Sequence, residues 1–377
     1  MEIHGYCDEK FAAVRDRFEK NFDEYPEIGA CFAASVDGEM VIDLWAGHTS
    51  KERDQEWQQD TLVNVWSTTK TMTYLVALML DDRGELSLEA PVSQYWPEFG
   101  AHGKDKITVA QILSHQAAVP GWSERTPVEA LYDWDSAVSY LANSKPWWDL
   151  SKPTCGYHAL SQGFLIGEVV RRVTGNTIGR WFADQVASRV NADFHIGIPA
   201  DQHSRIATIY NPPDPSALVA MMKGQTLAAP VFGYMPAGAK QASSREWREA
   251  EIPAAGGQGN ARSVVRAQTA LANDGKAFGV ELLSAKGAAR AGELQISGMD
   301  LVLGNPVEYC MGYARSNQHM PHSPNPESFF WCGAGGSTIV IDPSERLCYS
   351  YVMNQMLPSI VGEGRGYKLG DAVYQSI

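Results

Sequence analysis

From Thr71 to Leu80 the chain reads Thr-Met-Thr-Tyr-Leu-Val-Ala-Leu-Met-Leu, with no charge, proline or glycine, and it stops at Asp81-Asp82-Arg83-Gly84. A helix that is apolar on nearly every side belongs in the interior, so the rest of the fold must surround it. Gly84 supplies the stop. Just upstream stands Trp66-Ser67-Thr68-Thr69-Lys70. If the helix begins near Ser67, then Ser67 and Lys70 lie three residues apart on one face of its first turn. The lysine nitrogen can fold back to the serine hydroxyl, and the serine N–H is one of the unpaired donors of a helix start. A serine with a base in reach and a free N–H beside it is the minimum equipment for acyl transfer. The same text also fits an ordinary helix start capped by Ser67 or Thr68, so the rest of the chain has to decide.

At 377 residues the chain can bury a sizeable core, and two subdomains are expected. A net charge of −13 removes any electrostatic case for nucleic acid or an anionic membrane surface. The opening Met1-Glu2-Ile3-His4-Gly5-Tyr6-Cys7-Asp8 has neither the basic nor the apolar region of a signal peptide. No uncharged apolar run approaches the roughly 20 residues of a spanning helix. The six cysteines are scattered without a C-x-x-C pair and read as reduced thiols. These features lead us to expect a soluble, acidic, cytoplasmic protein. Among the eleven tryptophans, Trp66, Trp122, Trp134, Trp147, Trp148 and Trp331 stand near polar or loop-like segments. Each reads first as packing, and several together as the lining of an apolar pocket.

Taken in order, residues 8–24 carry Phe11, Val14, Phe18 and Phe22 at helical spacing. Residues 28–36 and 39–46 read as strands joined by the tight turn Asp37-Gly38. Residues 85–250 look helical and loop-rich, with helices at 108–115 (capped by Thr108), 126–143, 159–174 and 177–189. From Tyr210 to Gly257 the text is rich in Pro, Gly and Ala with weak periodicity, as in a lid or pocket wall. A helix is expected over 260–274, strands over 311–314, 337–342 and 347–353, and a closing helix over 366–376. Strands at both chain ends with helices between them predict an α+β fold. In it, residues 1–84 and 251–377 form an antiparallel sheet flanked by helices, and residues 85–250 form an inserted helical subdomain that walls the pocket.

Several familiar motifs are missing: no Gly-x-Ser-x-Gly elbow, no His-Glu-x-x-His and no P-loop. His319 and His322 lie close in a Pro-rich loop but make a poor metal site, and no metal or cofactor is expected. His115 and His158 read as hydrogen-bonded interior or pocket-wall residues. Two segments keep a functional reading. Tyr157, in Gly156-Tyr157-His158-Ala159-Leu160-Ser161, would project from a loop just before a helix, where a phenol can act as acid or base. Phe330-Trp331-Cys332-Gly333-Ala334-Gly335-Gly336-Ser337 begins a strand with glycines that permit close approach of a ligand.

Ser67-x-x-Lys70, the Tyr157-His158-Ala159 loop and the Trp331-Cys332-Gly333 strand start, in this order and at these separations, resemble the serine β-lactamase/penicillin-binding-protein superfamily. The chain is most similar to its class C-related esterases, the family VIII carboxylesterases. The segment Ile112-Leu113-Ser114-His115-Gln116-Ala117-Ala118-Val119-Pro120 adds to the likeness, which spans most of the chain. The resemblance implies that Ser67 attacks an acyl carbon, that Lys70 and Tyr157 are the coupled base and acid, and that the N–H groups of Ser67 and Ala334 form the oxyanion hole. Trp331, Cys332, Gly333, Trp122 and His158 are expected to contact the substrate. Where β-lactamases of this class carry Lys-Thr-Gly, this chain has Trp331-Cys332-Gly333, and Ala159 replaces an Asn. Loss of the cation and of the amide argues against a β-lactam and for a small-molecule ester of short to medium acyl chain. The competing readings are an acyltransferase, a D-amino-acid amidase or peptidase, a weak β-lactamase, and a binder that kept the fold without the chemistry.

Overall fold

The computed structural model describes residues 1–224 and 226–377; Gln225, inside the segment 210–257, lies outside them. Nine strands make one antiparallel sheet: β1 (Ile3–Cys7), β2 (Gly29–Val36), β3 (Glu39–Gly47), β4 (Ile296–Met299), β5 (Pro306–Tyr309), β6 (Ala314–Arg315), β7 (Phe329–Cys332), β8 (Thr338–Asp342) and β9 (Leu347–Met353). Their spatial order is β1-β3-β2-β9-β8-β7-β6-β5-β4, so strands from the two chain ends meet where β2 pairs with β9. Every residue of β9 is buried, because helices cover both faces of the central strands. Asp37 and Gly38 have φ of 52° and 84°, the left-handed pair that a two-residue hairpin needs, and they join β2 to β3 as the sequence predicts.

The helices that matter to the site are α1 (Ala12–Glu24), α2 (Lys70–Asp82), α3 (Ser161–Thr174), α4 (Ser216–Lys223), α5 (Ala228–Gly233), α6 (Ala261–Ala272) and α7 (Gly364–Tyr374). Helix α6 lies across β2, β8 and β9, and α2 packs between α6 and α3. From Lys70 to Leu80 every residue of α2 is buried, which is why its sequence carries no polar face. Helices α1 and α7 pack together away from α6.

Several elements depart from expectation. The edge strand β1 was not foreseen: its residues alternate only weakly, and its pairing with β3 supplies the stability. The first turn around Ser67 is a 3₁₀ turn, Trp66–Thr69, with α2 proper starting at Lys70. The expected helix over 126–143 breaks at Asp133, which caps Trp134–Asn143 by accepting from the Ser136 N–H. Strand β7 precedes the glycines, and Gly333–Ser337 is the turn between β7 and β8 rather than a strand start. The described residues of the segment 210–257 hold four short helices, Ser216–Lys223, Ala228–Gly233, Ala239–Ala242 and Arg245–Glu249, broken by prolines and glycines that hide their periodicity from a sequence window.

Behind the β7–β8 turn, Arg365 is fully buried at the start of α7. Its guanidinium donates to Glu27 (2.8 Å), Glu363 (2.6 Å), the Gln355 carbonyl (2.9 Å) and the Gly335 carbonyl (2.8 Å). Tyr351 donates to the same Glu27 carboxylate. Removing the cation leaves a buried carboxylate unpaired, so Arg365→Leu is expected to lower unfolding stability by about 3–5 kcal/mol in urea denaturation. A loss under about 1 kcal/mol would show that this cluster does not anchor α7.

Candidate active site

Ser67 Oγ lies 3.1 Å from Lys70 Nζ and 2.6 Å from the Tyr157 hydroxyl. Three positions from two distant segments thus converge on one oxygen. The serine follows Trp66, whose φ of 50° is strained for a bulky residue and turns the chain sharply into the 3₁₀ turn. Ser67 keeps 8% of its surface accessible, while Lys70 has none and Tyr157 1%.

Lys70 Nζ also donates to the carbonyls of Ala159 (2.7 Å) and Ala254 (2.9 Å). No carboxylate pairs with it among the described residues, and burial pushes its pKa well below the ordinary lysine value. A neutral amine has two N–H bonds and one lone pair. In that form, which the shift favours, the two carbonyls would take the two N–H bonds and the lone pair would face the serine hydroxyl. Two close packings hold the segment that carries the Ala254 carbonyl. A Cβ on Gly163 of α3 would come within 2.4 Å of the Ala254 nitrogen, so only glycine lets α3 approach this backbone. The Gly257 N–H donates to Thr69 Oγ1 (2.9 Å), and Val65 N–H donates to the Gly257 carbonyl (3.0 Å), which lock the 254–257 segment to the Ser67 turn.

Tyr157 is set from behind. Its backbone N–H donates to the buried carboxylate of Asp300 (3.1 Å), which also accepts from Val302 N–H, Leu303 N–H and the Tyr309 hydroxyl. On either side, Gly156 N–H donates to the His115 carbonyl (3.0 Å) and His158 N–H donates to His115 Nδ1 (3.1 Å). Burial holds His115 well below the ordinary histidine value, and its Nδ1 serves here as an acceptor. Burial raises the Tyr157 pKa, which keeps the phenol protonated and able to donate to Ser67 Oγ. Sequence reasoning missed Asp300 altogether, since nothing in Gly298-Met299-Asp300-Leu301 marks it. The carbonyls of Ala159 and Ala254 carry no side-chain signal at all.

The β7–β8 turn brings Ala334 beside the serine. Ser337 Oγ donates to the Val65 carbonyl (2.8 Å) and lies 3.0 Å from Thr68 Oγ1, so this turn and the Ser67 turn form one frame. Gly335 and Gly336, with φ of 91° and 126°, give the turn a backbone that other residues resist. Among the described residues neither the Ser67 nor the Ala334 N–H donates to a protein acceptor, and both residues line the same cavity.

That cavity has a volume of about 440 Å³ and opens over Ser67 and Tyr157. Trp66, Ala159 and Leu160 also line it, and much of the rest comes from residues 211–241 and from Met356 and Ile360. No Asp, Glu, Lys, Arg or His is among its described lining residues. The five residues expected to contact substrate stand elsewhere. Trp331 is buried behind Tyr157, with ring centroids 5.4 Å apart, and stacks toward His115 and Tyr309. Strand alternation turns Cys332 to the opposite face, against Thr338 and His322. A Cβ on Gly333 would meet the Val65 carbonyl at 2.2 Å, so it packs on the Ser67 frame. Trp122 packs on Tyr140 and Phe164. His158 accepts from Val119 N–H at Nε2 and contacts the Gly156 carbonyl through Nδ1 (2.7 Å), a loop-closing role. Burial lowers its pKa to about 3.

Residues 16–371 match the protein family described as Beta-lactamase. The chain belongs to the beta-lactamase family. A crystal structure of a family VIII carboxylesterase is 39% identical with a TM-score of 0.93, covering 100% of both chains. A penicillin-binding protein homologue from Caulobacter crescentus is 34% identical with a TM-score of 0.91, again over 100% of both chains. Esterase/beta-lactamase LipL of Mycobacterium tuberculosis (strain ATCC 25618 / H37Rv) is 33% identical over 372 residues, covering 95% of this chain and 84% of its own.

In this beta-lactamase-family site the reactivity of Ser67 should follow the protonation of Lys70. The lone pair exists only above the Lys70 pKa, so the rate of Ser67 labelling by a fluorophosphonate is expected to rise with pH through that value. It should level off well below the ordinary lysine pKa of about 10.4. A rate that keeps climbing to pH 10 would contradict a depressed Lys70.

Proposed function

We propose that the protein is a serine carboxylesterase that cleaves esters of short to medium acyl chain through an acyl-enzyme on Ser67. The observation that carries this reading is the placement of Ser67 Oγ between Lys70 Nζ and the Tyr157 hydroxyl, on the wall of a cavity whose described lining residues carry no charge. The likeness over full length to a family VIII carboxylesterase and to LipL supports it.

Ser67 Oγ attacks the ester carbon and passes its proton to the neutral Lys70 amine. The N–H groups of Ser67 and Ala334 receive the negative charge on the carbonyl oxygen, each worth a few kcal/mol in the transition state. Collapse expels the alkoxide, which takes a proton from the Tyr157–Lys70 pair. Water then enters where the alcohol left, gives its proton to the same pair, and its oxygen bonds to the acyl carbon; Ser67 regains its hydrogen as the acid departs. Lys70 Nζ lies 4.9 Å from the Tyr157 ring centroid, close enough for the two to titrate as one unit.

The absence of ionised groups among the described cavity residues also supports an ester over a β-lactam. A β-lactam carboxylate would enter such a site without a partner, at a cost that neutral esters avoid. The six unpaired cysteines support a reducing, cytoplasmic setting.

Intact mass after a brief fluorophosphonate reaction is expected to show one adduct on wild type and none on Ser67→Ala; an adduct on both would place the nucleophile elsewhere. Tyr157→Phe removes the acid and is expected to lower kcat for 4-nitrophenyl butyrate by about 10²–10⁴ with little change in KM. Wild-type kcat/KM for that ester should exceed the value for nitrocefin by about 10² or more. Equal rates on the two substrates would overturn the ester preference.

A further inference from the structure

Helix α4 is unusual in having no buried residue, although its sequence Ser-Ala-Leu-Val-Ala-Met-Met-Lys is almost wholly apolar. Leu218, Met221 and Met222, spaced three and four apart, turn one face toward the cavity and are half-buried there. Helix α5 backs it, adding Val231 and Phe232 to the same wall. A short apolar helix that reaches no core is covered on this face by whatever occupies the cavity. Methionine side chains suit that role, since unbranched thioethers refit around chains of different shape.

We infer that α4 and α5 form a wall that selects the length of an uncharged, unbranched apolar chain on the ester, with a medium-length chain of about eight to ten carbons preferred. This rests on the esterase reading above and narrows its substrate class. The size follows from the cavity. At about 30 Å³ per water-sized group, 440 Å³ holds roughly fifteen non-hydrogen atoms, the ester group and the first atoms of its other side included. Each methylene that leaves water for such a wall should raise kcat/KM about fourfold until the cavity is full. A chain ending in a carboxylate finds no cation among the described lining residues and should be rejected.

The test is the ratio of kcat/KM for 4-nitrophenyl octanoate to that for 4-nitrophenyl acetate, in wild type, Met222→Trp and Met221→Ala. A parallel series of alkyl acetates covers a chain on the alcohol side. Wild type is expected to favour the octyl chain in one of the two series. Met222→Trp should cut that preference at least tenfold by filling the wall, and Met221→Ala should move the optimum to longer chains. A ratio that neither substitution moves in either series overturns the inference, while Ser67-dependent hydrolysis in wild type leaves the esterase reading standing. Loss of that hydrolysis in wild type would overturn both. Should a variant not fold, straight-chain alkylboronic acids inhibiting wild type give the same reading. Affinity that climbs to about eight carbons supports the wall, and affinity indifferent to length refutes it.

Discussion

The burial of one amine organises this molecule. Lys70 sits at the first position of a helix with no polar face, and its nitrogen finds two carbonyls and one hydroxyl in place of water. One carbonyl, Ala159, belongs to the segment leading into α3; the other, Ala254, belongs to the segment leading into α6. The approach at Ala254 depends on a small residue, since a Cβ on Gly163 would meet the Ala254 nitrogen at 2.4 Å. An ammonium in this position would carry a charge with no carboxylate beside it among the described residues, so the surroundings favour the free base. The helix that looked merely hydrophobic in sequence thereby becomes the device that shifts the lysine.

A second layer fixes the partners of Ser67 without touching it. Asp300 and His115 hold the backbone on each side of Tyr157, and Ser337 binds the β7–β8 turn to the segment before the serine. Arg365 reaches the same turn from behind through the Gly335 carbonyl. In the mechanism we propose, preorganisation of this kind would let a hydroxyl, an amine and two N–H groups act together, since no rearrangement would be needed when charge develops.

How much of this could be read from the sequence differs by kind of feature. The Asp37-Gly38 hairpin, the Thr108-capped helix and the strand over 347–353 follow from local rules and stand where those rules put them. Ser67, Lys70 and Tyr157 are legible as a set because order and spacing recur in a family, and the structure brings the three together. Contacts made by backbone atoms or by residues far apart in sequence left no mark: Asp300 lies 143 positions from the tyrosine whose N–H it accepts. The expected pocket residues were placed by motif rather than by face. Trp331 lies in the right strand but packs behind Tyr157, while the true lining comes from the Pro- and Gly-broken segment whose helical period is too short to detect. The serine–lysine–tyrosine cluster is therefore written in motifs, and most of the cavity wall in the segment without one.

The most direct test of this picture is a titration of Lys70 itself, followed by NMR of the ε-carbon in protein labelled with ¹³C-lysine and assigned by comparison with Lys70→Arg. A resonance that titrates well below the surface lysines is the expected result and identifies the resting amine as the base beside Ser67. A Lys70 resonance that titrates with the others near pH 10 would mean the amine is charged at neutral pH, and the role of base would have to pass to another group.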